Sequence, residues 1–404
     1  MNTSSIYHCL GLQDQQLLST SYVGDTIQLK VKTKKDKLRC SRYKRMHVIC
    51  CGVVERSFKG PMIGKKKCVI IIDVQRLYCK KCKIVRQEHL RFAKEQKSYI
   101  RSLEKMVLLL SSHMTIQSIS RLLDLNWNIV KDIIKSHLKS KYHSPGLKGV
   151  KHIAIDEFAV RKGHVYMTCV YDLDKGVVLH VGKGKGSESL VPFWKRIKIN
   201  KVQRESVAID MSAAYILSVK TNAPKATMVF DHFHIIKKLN ETISKIRRDL
   251  YNKEKDKVIK KSLKGSRWLL LKNPENLNLQ KGEDSRLEKV LETNTTLFYA
   301  YYLKEELREL WNQDNIRDAS KLLKQWIEEA NETEIPRLKK MVELLTKHKT
   351  GILNWYKCNI STGPLEGINN KIKTLKRQAY GYRDLDFFML KIKAMHQDIY
   401  AKCG

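Results

Sequence analysis

Residues 152–182 read HIAIDEFAVRKGHVYMTCVYDLDKGVVLHVG, and the fold class follows from where this stretch breaks. Runs rich in β-branched and aromatic residues, Val150 to Phe158, His164 to Leu173 and Gly176 to Gly182, read as three strands, with the turn Asp172 to Gly176 joining the second and third as a hairpin. The pattern then alternates: a helix from Ser187 to Ile197, a strand from Ser206 to Asp210, a helix near Ala213 to Thr221, a strand from Ala226 to Phe230, and a long basic helix from about Phe233. Hairpin-linked strands followed by alternating helix and strand predict an α/β fold built on a mixed sheet with helices on its faces.

Two of these runs end on an acid. HIAID closes on Asp156 and SVAID on Asp210, near strand C-termini, where α/β sheets usually bind ligands. A third acid, Glu366, lies in GPLEGINNKIK, where Pro364 suits the first turn of a helix and Gly363 or Thr362 can cap it. Each has an ordinary reading alone: a strand-end aspartate as turn residue or cap, and a first-turn glutamate as electrostatic partner of the helix N-terminus. Together they read as a triad for two divalent cations, Mg²⁺ or Mn²⁺. Carboxylates at the ends of buried strands are costly unless paired, hydrogen-bonded or metal-bound. Two hard cations roughly 3.5 to 4 Å apart activate an oxygen nucleophile and neutralise charge on both sides of a phosphorus. Asp156 would bridge them, with Asp210 and Glu366 each holding one. Lys371, Lys373, Lys376 and Arg377, on the glutamate's helix, are placed to contact phosphates or else to form a solvated face.

The composition fits a polyanionic partner. Lys and Arg number 78 against 41 Asp and Glu in 404 residues, a net +37, so affinity for nucleic acid should be strongly salt-dependent. The longest apolar runs fall far short of the roughly 18 residues that span a bilayer, and the N-terminus has no secretory pattern, so a cytoplasmic protein is expected. Ten cysteines scattered along such a chain suit a reducing compartment, as free thiols or a metal site.

Five segments are expected. Residues 1–96 mix basic runs with β-prone strings and carry Cys79 and Cys82 at zinc-knuckle spacing; Cys40, with His47, Cys50 or Cys51, is the available other half, and isolated buried thiols are the alternative. Residues 97–143 turn helical. MTIQSISRLLDLNWNIVKDIIKSHL breaks at Asp124 to Asn126, with Ile119, Leu122, Leu125, Ile129, Val130 and Ile133 facing inward. That is the pattern of a helix-turn-helix presenting Asn126, Asn128, Lys131 and Lys135 to a DNA groove, or of a plain helical hairpin. After the linker HSPGLKG, the sheet region spans 150–240, a charged all-helical insertion 241–350, and the remainder of the sheet region 351–404. Within the insertion Trp268 reads as core; the alternative is an aromatic that stacks an unpaired base beside Arg267.

HIAIDEFAVRKGHVYMTCVYDLD, VAIDMSAAY, FDHFHIIKKLN, SRWLLLKNPENL and STGPLEGINNKIKTLKRQAYGYRD together resemble the DDE transposases of bacterial insertion sequences, of the ISL-three type, across residues 35 to 400. The resemblance implies an RNase H-like catalytic core interrupted by a helical insertion and preceded by a zinc-ribbon-like module and a helix-turn-helix. It implies Asp156, Asp210 and Glu366 as the triad, with Asp231, His232 and His234 supporting it. It further implies double-stranded DNA partners, namely terminal inverted repeats and target DNA, a homodimer on DNA, and metal-dependent cleavage and transfer. One departure stands out. Members carry C-P-x-C early in the zinc module, whereas here Cys40-Ser41-Arg42-Tyr43 lacks the second thiol, leaving Cys40, Cys79 and Cys82 for one structural Zn²⁺.

Overall fold

The computed structural model describes residues 3–44, 46–161, 165–200 and 205–395. The chain forms two compact units that part between Lys141 and Tyr142. The described residues make a mixed α/β protein with two five-stranded mixed sheets.

The first unit opens with α1 (Thr3–Leu10) and holds β1 (Gln15–Val23), β2 (Thr26–Thr33), β3 (Val48–Ile63), β4 (Lys66–Cys79) and β5 (Ile84–Gln87), followed by α2 (Arg101–Leu110), α3 (Ile116–Leu122) and α4 (Trp127–Tyr142). The sheet runs β1-β2-β4-β3, and the long β4 also pairs β5 near its C-terminal end. Alternation along β4 buries Cys68, Ile70, Ile72 and Val74 on one face, as a half-covered sheet requires.

The turn between α3 and α4 corrects one expectation. Leu122 is exposed at 47%, and Leu123 takes the inward place beside Ile119, Leu125, Val130 and Ile133. The helix stops at Leu122, and Asp124 adopts φ 49°, which rotates the chain before the second helix starts. The Lys59 ammonium donates to the Asp124 carbonyl at 3.0 Å and the Lys67 ammonium to its carboxylate at 2.6 Å, so two strand lysines hold this uncommon backbone. The Lys67 hydrogen bond also keeps the Asp124 carboxyl below its ordinary range.

The second unit carries the sheet β10-β9-β6-β7-β8, from β6 (His152–Arg161), β7 (Val165–Asp172), β8 (Val177–Lys183), β9 (Ser206–Ile209) and β10 (Thr227–Phe230). β6, β9 and β10 are mutually parallel; β7 and β8 are antiparallel, as the hairpin signals required. Helices α5 (Val191–Ile199), α6 (Ala213–Asn222) and α7 (His232–Lys253) follow. Between α7 and the C-terminal elements the described chain is helical: α8 (Lys257–Gly265), α9 (Arg267–Leu271), α10 (Glu283–Glu292), α11 (Thr295–Arg308), α12 (Ile316–Glu332), α13 (Pro336–Leu353) and α14 (Trp355–Cys358), with short 3-10 turns between some of them. Then come α15 (Gly363–Gln378) and α16 (Leu385–Ala394).

Strand alternation gives the sheet two apolar faces. Ile153, Ile155, Val170, Val207 and Ile209 join the core built by α5, α6, α7 and the helices after them. Ala154, Phe158, Cys169 and Ala208 join a second core closed by Leu365, Ile368 and Ile372 of α15 and Phe388 and Ile392 of α16. Residues of even number on β6 and β9 therefore face α15, which decides where the acids point. α13 packs on the opposite face so closely that a Cβ built on Gly351 would lie 2.4 Å from the Phe230 ring.

Candidate active site

β6 and β9 pair in register with Ala154 opposite Ala208. Two residues further on, Asp156 and Asp210 follow with the same parity on these neighbouring strands, close enough for Asp210 to act on the Asp156 carboxyl. Asp156 is thus not at a strand end, as the apolar run suggested: β6 continues to Arg161 in its hairpin with β7, and it is the pairing with β9 that stops at Ala154. On the other side of β9, Phe230 pairs with Ile209, and the Asp231 amide donates to the Ile209 carbonyl at 3.2 Å. Asp156, Asp210 and Asp231 therefore form a row across three parallel strands, with a shared parity that turns them toward α15.

α15 is fixed on that row at two points. The hydroxyl of its N-cap residue Thr362 donates to Asp231 Oδ2 at 2.5 Å, although the sequence cast Thr362 as a cap for its own helix. One face further along, the Asn369 side-chain amide donates to Asp156 Oδ2 at 2.9 Å. Seven residues of helix advance about 10.5 Å, and two strand spacings measure about 9.6 Å, so the two pins match the row they span. Glu366 lies four residues after Thr362 and three before Asn369, on the same stripe of the helix and so between the two pins. It is exposed, whereas Leu365 and Ile368 beside it are buried. Among the described residues the three carboxylates of Asp156, Asp210 and Glu366 do not close to within 4.8 Å of one another; only Cys40, Cys79 and Cys82 form so tight a group of three.

Burial raises the Asp156 carboxyl above its ordinary range, against the pull of the Asn369 hydrogen bond, His234 and the Glu157 amide, and neighbouring Asp210 raises it further. Asp210 Oδ1 accepts the Ser212 amide at 2.9 Å, the turn that starts α6. Glu157, on the opposite parity, is raised by burial and by Asp210 and Asp156; nearby Tyr215 of α6 pairs its hydroxyl with Thr168 at 2.9 Å. Nothing in the sequence drew attention to Glu157, Tyr215 or Asn369; the signal available was only their adjacency to the acidic motifs. Asp231 is closed off. Its side chain is 1% exposed and has His232 Nδ1 at 3.6 Å and His234 Nε2 at 3.9 Å as well as Thr362.

The remaining candidates divide. Lys371, Lys373 and Arg377 are exposed on α15, while Lys376 is half-buried and donates to the Val160 carbonyl at 3.1 Å. Trp268 is not core: it is 67% exposed, with the Arg267 guanidinium 4.9 Å over its ring, and Leu269 and Leu270 fill the core instead. Buried Lys304 holds this turn by donating to the Leu270 and Lys272 carbonyls. Asn126 and Asn128 are exposed, but Asn126 Oδ1 accepts the Asn128 amide and so starts α4. Lys131 lies 5.5 Å over the Trp127 ring, and Lys135 is half-buried on the same helix. Cys40 and Cys79 are buried and Cys82 partly so, with Cys40 and Cys82 sulfurs 3.5 Å apart; Cys50 and Cys51 are exposed outside the cluster and Cys68 is buried along β4. Amides of Cys82 and Lys81 aimed at the Cys79 sulfur lower its thiol to about 7, while burial first, then its sister thiols, push Cys82 up to about 11.

A family model described as "Transposase" matches residues 153–392, and one described as "Helix-turn-helix domain of transposase family ISL3" matches residues 88–138. The transposase for insertion sequence element IS1001 of Bordetella parapertussis is 32% identical over 378 residues, 92% of each chain. That for IS1557 of Mycobacterium tuberculosis is 26% identical over 257 residues, 58% of this chain and 57% of its own. Among solved structures, the Drosophila P element transposase strand transfer complex covers 74% of this chain and 92% of its own at 10% identity and a TM-score of 0.39, too loose a likeness to argue from. These findings define a DNA-cleaving and DNA-transferring enzyme with a helix-turn-helix. The chain belongs to the ISL3 family of insertion-sequence transposases. No helix among the described residues is long and apolar enough to cross a membrane.

Proposed function

We propose that this transposase binds the terminal inverted repeats of its element and performs metal-dependent cleavage and strand transfer at Asp156, Asp210 and Glu366, on an RNase H-like core interrupted by the helices of 241–350. The observation that supports it best is the double pin of α15, through Thr362 on Asp231 and Asn369 on Asp156, which brackets Glu366 on the helix that faces the aspartate row. An all-oxygen donor set, with one buried carboxylate held beside another, suits two hard divalent cations, Mg²⁺ or Mn²⁺. Asp156 would touch both, Asp210 and Glu366 one each; bound there, they supply an activated oxygen nucleophile and charge neutralisation at the scissile phosphate. The chain's own residues do the positioning: Asn369 orients Asp156, the Ser212 amide orients Asp210, and Lys371, Lys373 and Arg377 hold flanking phosphates. Lys376 spends at least one donor on Val160 and contributes less.

DNA recognition falls to α4, with Asn128, Lys131 and Lys135 facing a groove and Asn126 setting the helix start. Arg267 and Trp268 stack an unpaired base during strand opening. Cys40, Cys79 and Cys82 hold a structural Zn²⁺ in the N-terminal segment, and two chains act together on two ends. The test is cleavage of a labelled duplex carrying the terminal repeat, with Mg²⁺, Mn²⁺ or EDTA. Metal-dependent nicking at the repeat boundary is expected. Binding with no cleavage in any metal would refute the catalytic reading and leave a repeat-binding protein.

A further inference from the structure

Two turns of the first unit share one backbone design. In Cys79-Lys80-Lys81-Cys82-Lys83 the Lys83 amide donates to the Cys79 carbonyl at 2.8 Å, and Lys83 adopts φ 55°. In Cys40-Ser41-Arg42-Tyr43-Lys44 the Lys44 amide donates to the Cys40 carbonyl at 2.7 Å, and Lys44 adopts φ 54°. A left-handed lysine is uncommon, so two at matching offsets mark the same knuckle built twice. The first Cys of each knuckle is buried, and both sulfurs join Cys82 in a group within 4.8 Å. Tetrahedral thiolate coordination at about 2.3 Å places sulfurs about 3.8 Å apart, and Cys40 and Cys82 stand at 3.5 Å.

The position matching Cys82 in the first knuckle is Tyr43. Its ring is 41% exposed and sits against the second knuckle, with Lys81 Nζ 4.6 Å and Arg42 Cζ 5.5 Å from its centroid. Among the described residues no further His, Cys, Asp or Glu joins the cluster; His47, Cys50 and Cys51 lie outside it and are exposed. A structural zinc site is normally closed by four protein ligands, and an open fourth position belongs to sites that exchange a ligand.

We propose that Cys40, Cys79 and Cys82 bind one zinc ion as a three-thiolate site whose fourth position, at the Tyr43 knuckle, belongs to solvent, so that the ion exchanges readily. The proposal rests on the zinc reading above and adds the open position. Tyr43→Cys completes the second pair on a backbone already shaped for it and closes the site.

The full chain, reduced and metal-free, is titrated with Co²⁺ and read by its charge-transfer and d–d absorption, then with Zn²⁺ against a chromophoric chelator. The wild type is expected to bind one ion with a three-sulfur spectrum, unchanged in His47→Ala, Cys50→Ser with Cys51→Ser, and Tyr43→Phe. Tyr43→Cys should raise the sulfur-to-cobalt intensity by about one third and slow zinc loss to the chelator by about tenfold or more. A four-sulfur wild-type spectrum that falls in the Cys50/Cys51 variant, or a change in Tyr43→Phe or His47→Ala, would overturn the open position while leaving the zinc reading standing. No ion bound by the wild type would overturn both. Should Tyr43→Cys fold poorly, the wild-type spectrum and the three silent variants decide alone.

Discussion

Replacing Asp156 with Asn should stabilise the metal-free protein while abolishing its chemistry. Asp156 is buried beside Asp210, and both its burial and that neighbour work against its charge. Burial is the largest cost of its charge, and repulsion from Asp210 adds a smaller one. Asn removes that repulsion and the desolvation of the charge. It keeps the oxygen that accepts the Glu157 amide at 2.8 Å, and Asn369 can turn its own amide over to accept from the new NH₂. The lost attraction to His234 offsets part of the gain. A net gain of about 1–3 kcal/mol would raise the melting temperature by about 3–10 °C for a unit of this size. The sign with pH follows: because the folded carboxyl is raised, wild-type stability from this group is full below the unfolded value and is lost as pH rises through the folded one. The variant's advantage should therefore be small near pH 4 and reach its plateau at neutral pH. Saturating Mg²⁺ should restore the wild type by about 2–3 kcal/mol at a hundredfold excess over Kd and leave the variant unmoved. Thermal melts with EDTA and with Mg²⁺ decide it; a metal-free Asp156→Asn protein that melts below the wild type would refute the reading of this pair as a strained, cation-seeking site.

Asp210→Asn and Glu366→Gln should abolish cleavage of the terminal-repeat duplex with binding intact in gel shifts; cleavage retained by either sinks that residue's assignment. Thr362→Val leaves buried Asp231 without its hydroxyl donor, so it should cost about 1–3 kcal/mol in denaturant melts and about a hundredfold in cleavage rate, with Thr362→Ser rescuing both. Gly351→Ala, which in an open helix gains about 1 kcal/mol, should here lose about 1–3 kcal/mol against the Phe230 ring, and a stabilised variant would disprove that close packing. Trp268→Ala should leave stability within about 0.5 kcal/mol, because the ring is exposed, yet weaken binding to a duplex with an unpaired end by about 1–3 kcal/mol; equal affinities would make the ring a bystander.

Much of the sheet was legible because strand and turn chemistry are local. The Asp172 to Gly176 turn closes through the Gly176 amide on the Asp172 carbonyl, and the alternation of strand and helix after it appears at nearly the expected residues. What failed was decided by neighbours distant in sequence. Trp268 read as core by its hydrophobicity, but Leu269, Leu270 and buried Lys304 own the inside of that turn. Leu122 read as inward by period, and the left-handed Asp124, held by lysines more than fifty residues upstream, shifted the seam by one residue. Thr362 is the expected N-cap residue, but its hydroxyl turns from its own helix to an aspartate 131 residues earlier.

The row of three aspartates poses a choice that residue type alone cannot make, since any two of Asp156, Asp210 and Asp231 could pair with Glu366. Partner geometry separates them. Asp231 is 1% exposed and commits Oδ2 to Thr362; its Oδ1 has no hydrogen-bond partner but is buried, with His232 Nδ1 3.6 Å away, so the carboxylate is shut off from solvent. Asp210 commits Oδ1 to the Ser212 amide, and Asp156 accepts neutral amides from Glu157 and Asn369, donors that orient a carboxylate without neutralising it. In the proposed site, then, the outer aspartate anchors the helix and the other two, oriented by neutral amides, keep lone pairs for metal. The third acid must return to them after more than a hundred intervening residues, an entropic cost that grows only logarithmically with the length of the excursion. Thr362 and Asn369, one on each side of Glu366, set its place along the helix within a fraction of a turn. A helical excursion can thus vary in length or content without moving the glutamate, provided both pins survive.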